Sequence, residues 1–209
     1  MEDKNKILNL VNSYYSQKVI KYGSTPRGVD WNSKESQEIR FQQLINVINR
    51  FESFSLLDFG SGYGALYSFL KANGIIDFSY TGYDISVEMT NKGKELLGEN
   101  DSLNWLNKMK YGNNYDYTIA SGIFNVKMKI DEKDWENYIQ NALNQINKVT
   151  TKGFSFNMLT TYSDEEFING NLHYANPEKI FSYCKQNFSH QVALLHDYNL
   201  YEFTILVRK

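Results

Sequence analysis

The sequence predicts an α/β fold with a doubly wound, mostly parallel sheet that is preceded by N-terminal helices. From residue 53 onward, short apolar runs alternate with helical patterns, which is typical of parallel strands joined by crossover helices. The last two strand patterns, residues 191–195 and 201–207, are too close in sequence for a crossover helix, so they must pair antiparallel. A length of 209 residues suits one domain, with a helical cap, 1–52, and a sheet-bearing core, 53–209.

Composition and charge exclude several classes of protein. Hydrophobic residues make up 42% of the chain and charged residues 22%, which excludes a disordered or fibrous protein. The 22 Lys and Arg against 24 Asp and Glu give a net charge of −2, so we expect no nucleic-acid partner held by phosphate neutralisation. No apolar stretch is long enough to span a membrane, and we expect no membrane partner. Cys184 is the single cysteine, which excludes an internal disulfide and fits a reducing cytoplasm.

The N-terminal part is predicted to contain two helices. Residues 4–19 carry one apolar stripe at helical spacing, formed by Ile7, Leu8, Val11, Tyr14 and Tyr15. A turn-rich segment, 23–31, separates this helix from the next, which either Asn32 or Ser33 can cap. The buried face of the second helix is predicted to consist of Ile39, Leu44, Val47, Ile48 and Phe51.

The core is predicted as alternating strands and helices with recognisable ends. Asn73 ends the first core helix, with Gly74 after it, and Ser86 caps the second, which runs to about Leu97. A long helix starts at Asp131, and the last starts at Asn176-Pro177-Glu178, where Asn caps and Pro takes the first helical position. The strands before the final pair are predicted at 55–59, 78–84, 102–105, 116–121 and 153–158.

A glycine loop, Gly60-Ser61-Gly62-Tyr63-Gly64, joins the first strand to its helix. Glycines let the backbone turn sharply and approach a ligand, and the helix N-terminus offers unpaired N–H groups. The pattern alone is compatible with several nucleotides or with a tight turn that binds nothing. Asp58, just before the loop, would oppose a pyrophosphate and favours a cationic cofactor. Asp84, at the end of the second strand, suits two ribose hydroxyls, or is a turn residue beside the Ser86 cap.

With these residues and the strand 116–122, the sequence resembles the class I S-adenosylmethionine-dependent methyltransferases over residues 53–209. The resemblance implies a Rossmann-like seven-stranded sheet of order 3-2-1-4-5-7-6, with strand seven antiparallel, and S-adenosylmethionine as cofactor. It implies that the glycines lie against the amino-acid part of the cofactor, with Asp58 beneath and Asp84 on the ribose. The other cofactor-binding residues implied are Gly60, Ser61, Gly62, Gly64, Ile85, Ser121 and Gly122. The usual adenine-contacting Asp is not obvious, which leaves Asn104 and Trp105 as candidates.

A narrower resemblance is to small bacterial methyltransferases of capsule or lipopolysaccharide biosynthesis, some of them linked to methylated phosphoramidate decoration of capsular sugars. The segments that carry it are Gly28-Val29-Asp30-Trp31, Gln37 with Arg40-Phe41, 120–125, 196–198 and 201–204. It implies a small-molecule or sugar-linked acceptor. Trp31, Gln37 and Arg40 are further cofactor candidates, and Gln37 and Arg40 would either reach the cofactor carboxylate or form a solvated helix face.

Methyl transfer from a sulfonium is an in-line displacement, and a hydroxyl acceptor benefits from a general base. His196 follows the sixth strand at the rim that carries the glycine loop, so it is the first candidate, oriented by Asp197 or Glu202, unless it only hydrogen-bonds in its hairpin. His173 is the second candidate, and Tyr198 and Tyr162 are lesser ones. We interpret His190 as structural, and the spacing of the histidines indicates no metal site.

Two other functions remain open at the level of sequence. The chain could be a non-catalytic partner protein that keeps the cofactor site. It could also be an NAD-linked oxidoreductase, which Asp58 and the antiparallel C-terminal pair disfavour. The sequence leaves the acceptor, the pathway and the oligomeric state open.

Overall fold

The computed structural model of the protein describes residues 2–29, 31, 33–109 and 112–209. Its helices are α1 Glu2–Tyr22, α2 Lys34–Leu44, α3 Ala65–Ala72, α4 Val87–Leu97, α5 Glu132–Val149 and α6 Pro177–Asn187. Its strands are β1 Phe54–Phe59, β2 Phe78–Tyr83, β3 Leu103–Leu106, β4 Tyr115–Ala120, β5 Thr150–Thr160, β6 Tyr174–Ala175, β7 Gln191–Leu195 and β8 Glu202–Arg208. None of the helices in these ranges is both long and apolar enough to cross a membrane.

The strands form one twisted sheet of order β3-β2-β1-β4-β5-β8-β7. β8 runs antiparallel to both of its neighbours, β5 and β7, whereas β1 to β5 pair in parallel. This confirms the predicted fold class and strand order. The numbering of the last two strands differs because the two-residue strand β6, which the sequence pattern did not reveal, pairs with the end of β5.

Apolar side chains from the helices fill both faces of the sheet. On one face α5 buries Trp135, Ile139 and Leu143, which recur every four residues and so point to the same side of the helix. On the other face Leu44 of α2 packs with Leu66 of α3. Covering both faces explains why the parallel strands read as continuous apolar runs.

Three helices start at the caps that the sequence predicts. The side chains of Ser33, Ser86 and Asn176 accept hydrogen bonds from the backbone N–H three residues later, at 3.1, 3.2 and 2.8 Å. The alternative cap Asn32, like Asp30 of the Gly-Val-Asp-Trp segment, lies outside the described residues.

The predicted buried face of the second helix is wrong at its end. α2 stops at Leu44, the chain tightens into a short 3₁₀ turn, and Ile48 already has extended backbone angles. The helical spacing therefore does not continue, and Phe51 is 98% exposed. The buried face of α2 consists of Gln37, Arg40, Phe41 and Leu44, so two polar side chains share it with two apolar ones.

Candidate functional site

Two adjoining cavities lie at the carboxyl ends of the parallel strands, which is where α/β sheets bind ligands. The first has a volume of about 720 Å³ and is lined by the glycine loop, by residues that follow β2, β3 and β4, and by α1. The second, of about 950 Å³, lies between α1, the segment 125–131 and the segment 169–172. Tyr15, Val29, Trp31 and Gly122 line both cavities and so form their boundary.

The glycine loop forms the floor of the first cavity. Gly60, Gly62 and Gly64 have φ angles of 86°, 54° and 86°, a left-handed conformation that strains residues with a side chain. A Cβ atom on Gly60 would lie 2.2 Å from Ile123, so the close packing of the loop also requires glycine there. Gly64 caps α3, whose first N–H groups therefore lie at the cavity floor.

Asp84 links the glycine loop to the helix after β2. One carboxylate oxygen accepts a hydrogen bond from the Gly62 N–H and the other from the Ser86 N–H, both at 2.9 Å. The carboxylate lines the first cavity, and burial raises its pKa to about 6. Each oxygen keeps a second lone pair, so the group can hold the loop and also accept two hydroxyl donors from a ligand.

Asp58 lies beneath the loop and is only 3% exposed. Its carboxylate accepts a hydrogen bond of 2.5 Å from the Tyr80 hydroxyl, and burial raises its pKa to about 7. The hydroxyl of Ser121, which also lines the first cavity, is buried without a hydrogen-bond partner among the described residues. A ligand with a positive charge would stabilise the ionised form of the buried acid, and a polar group of the ligand would give the buried hydroxyl a hydrogen-bond partner.

Trp31 stands at the boundary between the cavities. Gly122 has a φ of 73°, and a Cβ atom there would lie 2.3 Å from Cζ2 of the Trp31 ring, so the ring packs directly on the backbone. The guanidinium carbon of Arg40 lies 4.1 Å from a ring centroid of Trp31, a stacking distance for a cation on an aromatic face.

A buried polar network fixes this boundary. Arg40 Nε lies 2.9 Å from both carboxylate oxygens of Glu202, and Nη2 lies 2.6 Å from Oε1. The Asn157 side-chain amide donates to Glu202 and, through its oxygen, accepts from the Gly122 N–H at 2.9 Å. Arg40 and Glu202 are 7% and 1% exposed, so the ion pair is removed from water. The network connects α2, β5, β8 and the end of β4.

Comparison with known proteins identifies the family. No family model matches the chain. A Mycobacterium tuberculosis (strain ATCC 25618 / H37Rv) protein named "Putative methyltransferase Rv1506c" is 42% identical over 165 residues, 79% of this chain and 99% of that protein. The chain belongs to the methyltransferase family.

Solved structures show the same architecture for the methyltransferase. The magnesium protoporphyrin IX methyltransferase ChlM of Synechocystis PCC 6803 with bound SAH is 15% identical, with a TM-score of 0.63 and coverage of 99% of this chain and 100% of ChlM. The N-methyltransferase NodS of Bradyrhizobium japonicum WM9 in complex with S-adenosyl-L-homocysteine is 12% identical, with a TM-score of 0.65 and coverage of 95% and 98%. Identities this low show the fold, which is that of class I methyltransferases.

Most of the predicted cofactor-binding residues of the methyltransferase line the first cavity. They are Trp31, Gln37, Asp58, Gly60, Ser61, Gly62, Asp84, Ile85, Ser121 and Gly122. Gly64 caps α3 immediately behind the loop. The sequence also left open that Asp84 is only a turn residue beside Ser86. Its hydrogen bond from the Ser86 N–H fits that interpretation, but the same carboxylate also lines the first cavity.

Three of the candidates for cofactor binding, Trp105, Asn104 and Arg40, lie elsewhere. The Trp105 ring is buried against Gly64, Gly82 and Gly93, its Nε1–H donates to the Gly98 carbonyl at 2.9 Å, and it lines neither cavity. Asn104 is exposed, and the residues that line the cavity after β3 are 107–109. Arg40 is neither solvated nor in the first cavity, because its guanidinium is bound by Glu202 at the edge of the second cavity.

The four candidates for a catalytic role, His196, His173, Tyr198 and Tyr162, all lie outside both cavities, so their catalytic role stays a prediction. His196 is exposed and packs on the rings of Tyr162 and Phe203. It follows the edge strand β7, three positions from β4 and so roughly 14 Å away along the rim at about 4.8 Å per strand. Glu202, which was expected to orient it, is paired with Arg40 instead.

His173 and Tyr198 are engaged by neighbours of their own. His173 Nδ1 lies 2.6 Å from a Glu132 carboxylate oxygen, and desolvation lowers the pKa of this buried histidine despite that carboxylate. The Tyr198 hydroxyl lies 2.9 Å from the hydroxyl of Thr204. Neither side chain lines a cavity.

Sequence reasoning missed the roles of three residues that shape the boundary: Tyr15, Asn157 and Glu202. Tyr15 was read as part of a packing stripe, but it lines both cavities. Asn157 and Glu202 are buried polar side chains in the core strands β5 and β8, with 0% and 1% exposure. A buried charge or amide in such a strand requires a partner, and that requirement is the signal that could have connected Glu202 with Arg40.

The raised pKa of Asp58 predicts how stability depends on pH. The carboxyl of an unfolded chain ionises near its ordinary pKa of 3.8, whereas the buried group keeps its proton until about pH 7. Between these values the free energy of unfolding falls as pH rises, with a slope of up to about 1.4 kcal/mol per pH unit from this group. Asp84 also lowers the free energy of unfolding as pH rises, but only up to about pH 6. We expect Asp58→Asn to flatten the slope between about pH 6 and 7 in urea denaturation series.

The exposed Asp77, which precedes β2, provides the matched control for this experiment. Asp77→Asn should keep the slope of the unsubstituted protein. An unchanged slope in Asp58→Asn would mean that this carboxyl is already ionised at pH 6 in the folded protein.

The buried ion pair predicts a large loss of stability when one partner is removed. Glu202→Gln leaves the Arg40 guanidinium buried without a counter-charge, so we expect the free energy of unfolding to fall by about 3–5 kcal/mol. Glu95→Gln, which breaks the exposed Lys92–Glu95 pair of 2.6 Å, should change it by less than about 1 kcal/mol. Urea denaturation of both variants measures the difference, and equal effects would show that the buried pair does not hold the boundary.

Proposed function

We propose that the methyltransferase binds S-adenosylmethionine in the first cavity and methylates an oxygen atom of a small or sugar-linked acceptor in the second. The acceptor would belong to bacterial surface polysaccharide biosynthesis, such as capsule formation, and the reaction would take place in the cytoplasm. The observation that carries the proposal is the pair of adjoining cavities with a shared boundary at Trp31 and Gly122. A donor and an acceptor can meet there without leaving their own cavities.

The residues of the first cavity fit S-adenosylmethionine. Asp84 has two free lone pairs for the ribose hydroxyls, and Asp58 and the unpaired Ser121 hydroxyl suit the charged amino-acid part. When ionised, the two carboxyl groups beside the loop, Asp58 and Asp84, would oppose the pyrophosphate of a dinucleotide. The structures of ChlM and NodS contain S-adenosylhomocysteine, the product of such a donor, and share this fold.

The chain contributes alignment of the two substrates. S-adenosylmethionine supplies a methyl group on a positively charged sulfur, and the transfer needs the acceptor in line with that bond. The carboxyl ends of β1, β2 and β4 hold the donor side, while residues of α1 line both cavities. The second cavity offers the amides of Asn125, Asn169 and Asn171 for a hydroxyl-rich acceptor.

Two observations favour a sugar-linked acceptor. The choice of a sugar-linked oxygen rests on the resemblance to capsule-associated methyltransferases and on the amide-lined second cavity. NodS is named as an N-methyltransferase and ChlM as acting on magnesium protoporphyrin IX, so this fold serves different acceptors.

Titration calorimetry with S-adenosylmethionine, S-adenosylhomocysteine and NAD tests the donor directly. We expect the first two to bind and NAD not to bind. Asp84→Ala should weaken binding of both by about 1–3 kcal/mol, because a charged hydrogen-bonding partner is lost. Asp77→Ala, at the opposite end of the same strand, is the matched control and should bind as the unsubstituted protein does. Binding of NAD alone, or unchanged affinity in Asp84→Ala, would contradict the proposal.

A further inference from the structure

The methyl group must cross the boundary between the two cavities. On the proposed function, the donor sulfur lies in the first cavity and the acceptor oxygen in the second, so the residues that line both cavities surround the transferred group. Four described residues do so: Tyr15, Val29, Trp31 and Gly122. Among them Trp31 has the ring whose face attracts a cation most strongly.

The Trp31 ring is held in place by rigid neighbours. Its edge packs on the backbone of Gly122, whose N–H is bound by Asn157, and one of its faces carries the Arg40 guanidinium. Arg40 is in turn fixed by two carboxylate oxygens of Glu202 and by a hydrogen bond of 2.7 Å to the Ser36 carbonyl. A ring held in this way keeps one orientation, which is the condition for recognising a particular charge at a particular place.

The ion pair with Glu202 also neutralises the positive charge of Arg40 beside the boundary. An unpaired buried guanidinium beside the boundary would repel a positively charged sulfur, since charges interact strongly where water is excluded. Glu202 cancels that charge through two of the three nitrogen atoms of the guanidinium. The site therefore keeps the ring and its rigid support without a net positive charge against the donor.

We infer that Trp31 contacts the sulfonium of S-adenosylmethionine and selects the charged donor over its neutral product; this inference rests on the proposed function. S-adenosylmethionine carries a positive sulfur, whereas S-adenosylhomocysteine has a neutral thioether and is otherwise the same molecule apart from the methyl group. A cation–π contact at Trp31 thus favours donor binding and product release. The same side chain also separates the acceptor from the rest of the donor.

Calorimetric dissociation constants for S-adenosylmethionine and S-adenosylhomocysteine test the inference without any acceptor. We expect Trp31→Leu to weaken binding of S-adenosylmethionine roughly 3- to 10-fold more than binding of S-adenosylhomocysteine. Trp31→Phe keeps an aromatic face and should retain most of the selectivity. Tyr14→Leu removes an aromatic ring that lines only the second cavity and should leave the ratio of the two constants unchanged.

The outcomes separate this inference from the proposed function. The role of Trp31 would be overturned if Trp31→Leu weakened binding of both ligands equally, or if Trp31→Phe had the same ratio of dissociation constants as Trp31→Leu. In either case, binding of S-adenosylmethionine by the unsubstituted protein would still uphold the donor assignment. Failure of the unsubstituted protein to bind either ligand would overturn both. Circular dichroism of each variant confirms that the comparison is made on folded protein.

Discussion

The buried ion pair between Arg40 and Glu202 is the constraint on which the site depends. Arg40 belongs to the N-terminal part of the chain and Glu202 to the last strand, so the pair ties the two ends of the sequence together. Burying either charge alone is strongly unfavourable, and this makes the pairing specific. Its consequence is local and functional: Arg40 supports the Trp31 ring, and Asn157 connects Glu202 to the backbone of Gly122. The contacts that connect the N-terminal part of the chain to the last strand therefore also position the residues at the boundary between the cavities.

The two cavities are formed by different parts of the chain, so on the proposed function the donor and the acceptor are recognised by different segments. The first depends mainly on turns that follow parallel strands, a feature of the fold itself. The second is formed by α1 and by two segments outside the sheet, which Val126 and Leu172 join through a β-bridge. Met128, in one of these segments, has a φ of 56°, and its N–H donates to the Asn171 carbonyl at 2.7 Å. Strained backbone conformations of this kind occur at functional sites, where the surrounding structure holds a surface in a defined shape.

Local signals in the sequence predicted most of the fold and most of the strand-end residues that line the first cavity. Caps such as Ser86, the glycine loop and the acid after β2 act within a few residues, so they can be recognised without tertiary information. The second cavity could not be predicted in this way, because it depends on which distant segments meet. His196 lies on the expected rim but at its far edge, as the predicted strand order already implied. Trp105 lies in the correct strand, β3, but its ring faces three glycines in the core, a contact that no local pattern reveals.

A crystal structure of the protein with S-adenosylhomocysteine tests the central claim most directly. The account predicts the ligand in the first cavity, with its ribose hydroxyls on Asp84 and its sulfur at the boundary beside Trp31, while the Arg40–Glu202 pair stays intact. A ligand in the first cavity with its sulfur turned away from Trp31 would contradict the role of the boundary. A ligand bound elsewhere would contradict the assignment of the cavity itself.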